Sequence, residues 1–125
     1  MKSQIILCSG GARSGKSEFA ERLALATEGR KAYVATGQAF DDEMVDRIKK
    51  HQERRGNIWT NFEIPLYLAE EWQHISSVAD VILIDCLTMF TTNHMMAHGS
   101  IQGQQDANRL EDTVLSELEA LLNLI

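Results

Sequence analysis

The stretch GGARSGKS at residues 10–17 constrains the fold of this chain more than any other feature. It fits the pattern G-x-x-x-x-G-K-[ST] in full. It follows the apolar run QIILCS, which we predict to be a buried strand, and it precedes a run with apolar residues at helical spacing that ends at Ala26. A strand, a glycine-rich turn and a helix in this order predict a phosphate-binding loop, in which backbone N–H groups and the positive end of the helix dipole surround phosphate oxygens.

The residues of this loop have different predicted roles. Lys16 is placed to reach the β- and γ-phosphates of a bound triphosphate, and the hydroxyl of Ser17 is a predicted ligand of Mg²⁺. The others are predicted to hold the phosphates from around the loop: Gly10, Gly11, Ala12, Arg13, Ser14 and Gly15. A chance glycine-rich turn is the alternative, and the strand and helix on either side argue against it.

Strand and helix patterns alternate along the rest of the chain, and most of the strand patterns are continuously apolar. This arrangement predicts a parallel sheet with helices on both faces, an α/β fold of the P-loop NTPase type. A crossover helix is normally followed by another strand. We therefore expect one nucleotide-binding domain over residues 1–125 that is incomplete at its C-terminal end. Strands are predicted at 4–9, 30–37, 57–63 (near a sheet edge) and 80–85, and helices at 17–26, 42–55 (with Asp41 or Asp42 as N-cap), 65–75, 87–98 and along the last segment.

Composition narrows the function classes. The net charge is -6 and the sequence contains no long basic run, which argues against a non-specific nucleic-acid binder. The apolar run near the N-terminus is too short for a signal peptide, and no stretch reaches the length of a membrane span. Cys8 and Cys86 are predicted to be reduced core residues, in keeping with the cytoplasm.

Asp85 ends the apolar run VILID. A carboxylate at the carboxyl end of a buried strand is a typical ligand of Mg²⁺ or of its water shell. The alternative is that Asp85 caps the helix that follows. Beside a phosphate-binding loop, we favour the metal-binding role.

His51 allows two interpretations. It shares one face of its helix with Met44 and Ile48, and we predict that this face points inward. From the spacing alone, a core histidine with one hydrogen bond is the better interpretation. The alternative is a nucleophile, because a neutral imidazole nitrogen can attack phosphorus and nearby cations would stabilise the phosphate charge. Those cations are Lys49, Lys50, Arg54 and Arg55.

The other histidines and the tryptophans carry weaker signals. His94 and His98 stand four residues apart but lack the glutamate of a zinc protease, so we predict surface or packing roles for them. Trp59 and Trp72 are predicted to be packing residues.

Four segments together resemble the family of bifunctional adenosylcobinamide kinases/adenosylcobinamide-phosphate guanylyltransferases of cobalamin biosynthesis. They are GGARSGKS, YVATGQAFDDEMVDRIKKHQERR, WTNFE followed by proline after a one-residue gap, and LIDCLTMFTTN. The phosphate-binding loop is common to many nucleotide-binding families, whereas the second and third segments are specific to this one.

The resemblance implies two reactions. ATP or GTP phosphorylates adenosylcobinamide; GTP then guanylylates a histidine with release of pyrophosphate, and GMP passes to adenosylcobinamide phosphate. By resemblance His51 is that histidine and acts together with Lys16, Mg²⁺ lies near Ser17 and Asp85, and the protein forms homo-oligomers, typically trimers. The resemblance also implies further nucleotide contacts: Thr36, Gly37, Gln52, Glu53, Arg54, Arg55, Glu63 and Asp85.

Two other function classes stay open at this point. One is a P-loop kinase for a small molecule, with no covalent step and a structural His51. The other is a non-catalytic module whose partner recognises the bound GTP. Replacing His51 would spare phosphoryl transfer in the first case, and the second would show no transfer at all.

Overall fold

The structure of the protein is a computed structural model that describes residues 3–11, 14–37 and 42–125. Ala12 and Arg13 of the predicted loop and the capping candidate Asp41 lie outside the described residues. The described residues form strands β1 Lys31–Ala35, β2 Trp59–Glu63 and β3 Val81–Asp85 and helices α1 Lys16–Ala26, α2 Asp42–Arg55, α3 Leu68–Val78, α4 Leu87–His98 and α5 Gln104–Leu124. Among these helices, none is both long enough and apolar enough to cross a membrane.

The strands form a parallel sheet in the order β2-β1-β3. Ala32 and Val34 of the central strand are buried on one face of the sheet and Tyr33 is buried on the other, as a parallel sheet covered on both faces requires. Because the register pairs Ala35 with both Glu63 and Asp85, the carboxyl ends of all three strands meet at one edge. The prediction of a parallel α/β fold is confirmed, and so is the prediction that β2 lies at an edge.

Helices cover both faces of this sheet. On one face α3, α4 and α5 enclose the larger core, which is built around Val34, Leu68 and Phe90. On the other face α1 packs against β3, and Ala24 joins Tyr33 and Trp59 in a smaller cluster. The predicted packing role of both tryptophans is confirmed, since Trp59 is buried and Trp72 packs against the larger core.

The prediction of a strand at residues 4–9 is wrong. This segment forms neither helix nor strand, and Ile5, Ile6 and Leu7 are 60%, 56% and 75% exposed. An apolar run favours burial, but a strand also needs a neighbouring sheet edge for its hydrogen bonds and a layer of side chains to cover it. Among the described residues β3 pairs only with β1, so β3 is a half-buried edge strand instead of the fully buried strand that we predicted.

The predicted inward position of His51 on α2 is also wrong, because His51 is exposed. No residue of α2 is buried over its whole surface, although the side chain of Arg55 is only 6% exposed. Met44 and Ile48 are half-buried, and charged residues make up most of this helix. So little apolar area gives the helix no reason to bury a whole face.

Helix α3 begins at Leu68, three residues after the predicted start at Pro65. A contact between residues distant in sequence sets this boundary, because the Ala69 N–H donates to Oε1 of Glu117 on α5 at 3.1 Å. A carboxylate at this place satisfies an N–H group that has no partner within the first turn. The predictions for α1, α2, α4 and the apolar stripe of α5 are confirmed in position.

Candidate active site

The described residues of the predicted phosphate-binding loop lead into α1 through Gly15. Gly15 is the N-cap of α1 and has a φ of 84°, a conformation that glycine adopts without strain. The Ser14 N–H donates to the carbonyl of Gly11 at 3.3 Å, and the Phe19 N–H donates to the carbonyl of Gly15 at 3.0 Å. The turn therefore opens onto the N-terminus of α1, where the helix dipole favours an anion.

Lys16 bends back over this turn. Its Nζ donates to the carbonyl oxygens of Gly10 at 3.2 Å and Gly11 at 3.5 Å. The ammonium group is thereby held at the mouth of the loop, where phosphate oxygens can take the place of the two carbonyls. Ser17 is exposed in the first turn of α1, so its hydroxyl is accessible to a ligand.

Two carboxylates lie at the carboxyl end of the sheet. The register places Glu63 and Asp85 on either side of Ala35, and ligands of open α/β sheets bind beyond this edge. Oδ2 of Asp85 accepts a hydrogen bond from the Tyr33 hydroxyl. Burial and this hydrogen bond raise the pKa of Tyr33 well above its ordinary value, so the hydroxyl stays protonated and continues to donate.

The donor set fits Mg²⁺ bound together with a nucleotide. Mg²⁺ is usually held by one or two carboxylates and by substrate phosphates. Asp85 retains acceptor capacity on its carboxylate beside the Tyr33 hydrogen bond, and Ser17 offers a hydroxyl. Over residues 3–11, 14–37 and 42–125, histidine, cysteine and acidic side chains form no cluster of three or more that would hold a metal alone. The protein residues that would hold Mg²⁺ are therefore Ser17 and Asp85.

Asp85 is not the cap of the following helix. Cys86 is the N-cap of α4, and its Sγ accepts from the Met89 N–H at 3.4 Å. Both cysteines are half-buried and neither forms a disulfide, so the prediction that they are core residues is wrong. Cys8 lies in the unpaired N-terminal segment and Cys86 at the open end of β3, where neither is fully covered.

The two arginines at the end of α2 have different environments. The guanidinium carbon of Arg55 lies 3.6 Å from the ring centroid of Tyr33. Its Nε and one terminal nitrogen donate to Oδ1 of Asn61 at 3.2 and 3.0 Å, and another nitrogen lies 3.9 Å from Glu21 on α1. The Arg55 side chain is only 6% exposed, whereas that of Arg54 is 56% exposed and lies 3.5 Å from Glu21. Arg54 thus faces solvent, and Arg55 is engaged by α1, β1 and β2.

Thr36 joins the carboxyl ends of β1 and β3. It is fully buried; its hydroxyl donates to the carbonyl of Cys86 at 2.6 Å and accepts from the Cys86 N–H at 2.8 Å. Its own N–H donates to the carbonyl of Asp85 at 3.0 Å. Because its hydroxyl is occupied in this way, the side chain of Thr36 holds the strand end that presents Asp85. Gly37 follows it and is half-buried.

The buried side-chain amide of Asn93 fixes the same edge from α4. Nδ2 of Asn93 donates to the carbonyl of Thr36 at 2.6 Å and to that of Pro65 at 3.1 Å. His94 beside it is buried and contacts the carbonyl of Leu66 at 3.2 Å, while the half-buried His98 contacts Asp106 at 2.8 Å. The prediction of surface or packing roles for the two histidines is confirmed. We did not predict Asn93, because an asparagine within a helical pattern carries no sign of a distant carbonyl.

The remaining predicted residues lie on α2 and at the end of β2. His51 and Glu53 are exposed and Gln52 is half-buried. His51 precedes Arg55 by four residues, so the two side chains lie on the same side of the helix. Glu63 lines an open pocket of about 590 Å³ between β2 and α3, where Glu70 and Glu71 add two more carboxylates. These acceptors suit hydrogen-bond donors such as amides better than they suit phosphates.

The sequence was compared with known proteins. Residues 6–125 match the model of the family described as cobinamide kinase / cobinamide phosphate guanyltransferase. The bifunctional adenosylcobalamin biosynthesis protein CobP of Pseudomonas aeruginosa is 40% identical over 119 residues, which cover 95% of this chain and 62% of that protein. The proteins of the same description named CobU are 32% identical in Escherichia coli and 35% identical in Salmonella typhimurium, each over 127 residues that cover 94% of this chain and 66% of the relative. The chain thus spans just under two thirds of the length of these curated relatives.

Proposed function

The chain belongs to the cobinamide kinase / cobinamide phosphate guanyltransferase family, and from that premise we propose that it takes part in both reactions of the family name. The first is phosphorylation of adenosylcobinamide by ATP or GTP. The second is transfer of GMP from GTP to the phosphorylated corrinoid through His51. Action in the cytoplasm, a trimeric assembly and the use of Mg²⁺ belong to the same proposal.

In the kinase step, the loop and Lys16 bind the triphosphate. The substrate hydroxyl oxygen attacks the γ-phosphorus, and the bond from that phosphorus to the β–γ bridging oxygen breaks. ADP or GDP leaves, and the hydroxyl proton passes to solvent. The N–H groups of the loop and the ammonium of Lys16 stabilise the charge that develops on the phosphate oxygens. When bound, Mg²⁺ would neutralise part of the same charge, held by Ser17 and Asp85.

In the guanylyl step, a neutral imidazole nitrogen of His51 attacks the α-phosphorus of GTP. The bond to the α–β bridging oxygen breaks and pyrophosphate leaves. The guanylylated imidazolium then loses the proton on its other ring nitrogen to solvent. A phosphate oxygen of the corrinoid then attacks the same phosphorus, the nitrogen–phosphorus bond breaks, and the departing imidazole takes up a proton from solvent. The products are the GDP-linked corrinoid and free His51.

The connection between His51 and Asp85 through Arg55 and Tyr33 is the main support for this proposal. The exposed His51 lies one turn before Arg55, and Arg55 stacks on Tyr33, whose hydroxyl binds Asp85. The candidate nucleophile and the candidate metal ligand are therefore tied to the same face of the sheet, the face that α1 covers after the phosphate-binding loop. This arrangement supports chemistry at the α-phosphorus in addition to the γ-phosphorus.

The test is covalent labelling with GTP that carries ³²P on the α-phosphate, in the presence of Mg²⁺. We expect label on the protein that resists base and is lost in acid, as a phosphoramidate is. His51→Ala should lose this label and His98→Ala should keep it, because His98 lies on α4 on the opposite face of the sheet.

The other outcomes discriminate among the function classes. A folded protein that binds GTP without becoming labelled would be a kinase alone, if it transfers phosphate from γ-labelled ATP to adenosylcobinamide. A folded protein that binds GTP and transfers nothing would be a binding module. Label that persists in His51→Ala would show that His51 is not the nucleophile.

A further inference from the structure

We propose that Tyr33 is a positioning residue for Asp85 and that its hydroxyl directs this carboxylate toward a nucleotide-bound Mg²⁺. The inference rests on the proposed function and adds a residue to it. Tyr33 lies on the central strand opposite Leu83, so Asp85 is its diagonal neighbour on the same face of the sheet. From this position the Tyr33 hydroxyl donates to Oδ2 of Asp85.

The ring of Tyr33 is held on several sides. Arg55 covers one face of the ring, with its guanidinium carbon 3.6 Å from the centroid. The ring of Trp59 lies edge-on, at 5.9 Å between centroids and 87° between planes. Tyr33 is only 7% exposed. A ring packed in this way cannot turn its hydroxyl elsewhere, so the hydrogen bond fixes the orientation of the carboxylate.

The partner of the hydroxyl distinguishes this tyrosine from an ordinary core residue. A core tyrosine satisfies its hydroxyl with any available acceptor. Here the acceptor is a carboxylate at the carboxyl edge of a parallel sheet, where ligands bind. One donated proton engages Oδ2 and leaves the capacity of Oδ1 for a cation, and residues that orient metal ligands in this way affect metal affinity.

The same tyrosine also connects to α2. Arg55 stacks on the Tyr33 ring and bonds Asn61, so the end of the helix that carries His51 rests on the residue that holds Asp85. Tyr33→Phe keeps the ring, and with it the contacts to Arg55 and Trp59. It removes only the donor and therefore isolates the effect on Asp85.

The experiment measures GTP affinity by titration calorimetry, with excess Mg²⁺ and again with EDTA. We expect Tyr33→Phe to bind GTP about tenfold more weakly with Mg²⁺ and equally well with EDTA, because the loss concerns a group that orients a metal ligand. Tyr67→Phe is the matched control, since Tyr67 is 58% exposed; it should behave as the unmodified chain under both conditions. A thermal melt followed by circular dichroism accompanies each variant.

Each outcome is decisive. Equal Mg²⁺ dependence in Tyr33→Phe and the unmodified chain, or equal weakening with and without Mg²⁺, would overturn the positioning role alone. Unfolding of Tyr33→Phe would assign the hydroxyl to stability and overturn the role as well. An unmodified chain whose GTP binding does not respond to Mg²⁺ would overturn the metal-dependent mechanism proposed above. In an Asp85→Asn background, Tyr33→Phe should have no further effect on Mg²⁺-dependent binding.

Discussion

Arg54 and Arg55 offer a direct test of the site, because two adjacent arginines with the same predicted role have different surroundings. We consider Arg54→Met and Arg55→Met, which keep a long apolar side chain and remove the charge. The Arg55 side chain is 6% exposed and donates twice to Asn61, whereas that of Arg54 is 56% exposed. The two variants therefore share their chemistry and differ in burial.

The magnitudes follow from these contacts. Losing the hydrogen bonds of a buried charged group costs about 2 kcal/mol. Losing the stacking of the guanidinium on the Tyr33 ring adds about 1 kcal/mol. Arg55→Met should therefore lower the free energy of unfolding by about 3 kcal/mol, or Tm by about 10 °C for a domain of this size. Arg54→Met should change it by less than about 0.5 kcal/mol, because solvent screens an exposed ion pair.

The assay is urea unfolding followed by tryptophan fluorescence, which reports on Trp59 beside the Tyr33 ring and on Trp72 at the larger core. Circular dichroism provides the second probe, and GTP affinity is measured on each folded variant. Equal stabilities of the two variants would refute the anchoring role of Arg55. So would an Arg55→Met protein that keeps its stability and loses GTP binding, since Arg55 would then be a nucleotide contact.

Three further predictions concern other parts of the fold. Asp80 accepts two hydrogen bonds from the Arg30 side chain, and this partner lowers the pKa of the carboxyl to about 2. The stabilisation is therefore complete above the unfolded pKa near 3.8 and is lost as the pH falls through about 2. The difference in Tm between the unmodified chain and Asp80→Asn should be constant above about pH 5 and shrink towards about pH 2. Phe90 is 1% exposed in the larger core, so Phe90→Ala should lower the free energy of unfolding in urea by about 4 kcal/mol. A decrease of less than about 1 kcal/mol would contradict this packing. Gly15→Ala should lower the free energy of unfolding by about 1 kcal/mol, because Gly15 has a φ of +84° although there is open space for a Cβ. An unchanged unfolding midpoint would show that the loop relaxes at no cost.

Much of the fold could be predicted from the sequence, because the signals are local. Apolar runs of strand length identify β3 and also β1, which lies between Gly29 and Gly37, and the periodic spacing of apolar residues identifies α5. The pattern at residues 10–17 identifies the loop, since a lysine and a serine at a helix start, after a glycine with positive φ, have few other uses. The start of α3 could not be predicted, because its capping carboxylate belongs to Glu117 on another helix.

The candidate site was predictable as a set of residues but not as an arrangement. The sequence does not distinguish the environments of Arg54 and Arg55. Only the packing against β1 and β2 shows that the side chain of Arg55 is the buried one. The inward orientation predicted for His51 failed because α2 has too few apolar residues to bury a face. The roles of Tyr33 and Asn61 could not be predicted, because the partners of polar groups in strands are defined only when the register of the sheet is known.

By itself, the sequence predicted a phosphate-binding loop and determined the parallel α/β architecture, and only its resemblance to a family singled out His51 as the candidate nucleophile. The loop pattern and the architecture follow from backbone sterics, side-chain periodicity and helix dipoles, which act between residues close in the chain. The tertiary structure alone decided that Asp85 is held by Tyr33, that Cys86 caps α4 and that residues 4–9 stay unpaired. These depend on contacts between residues up to 52 positions apart, whose geometry exists only after the sheet has formed.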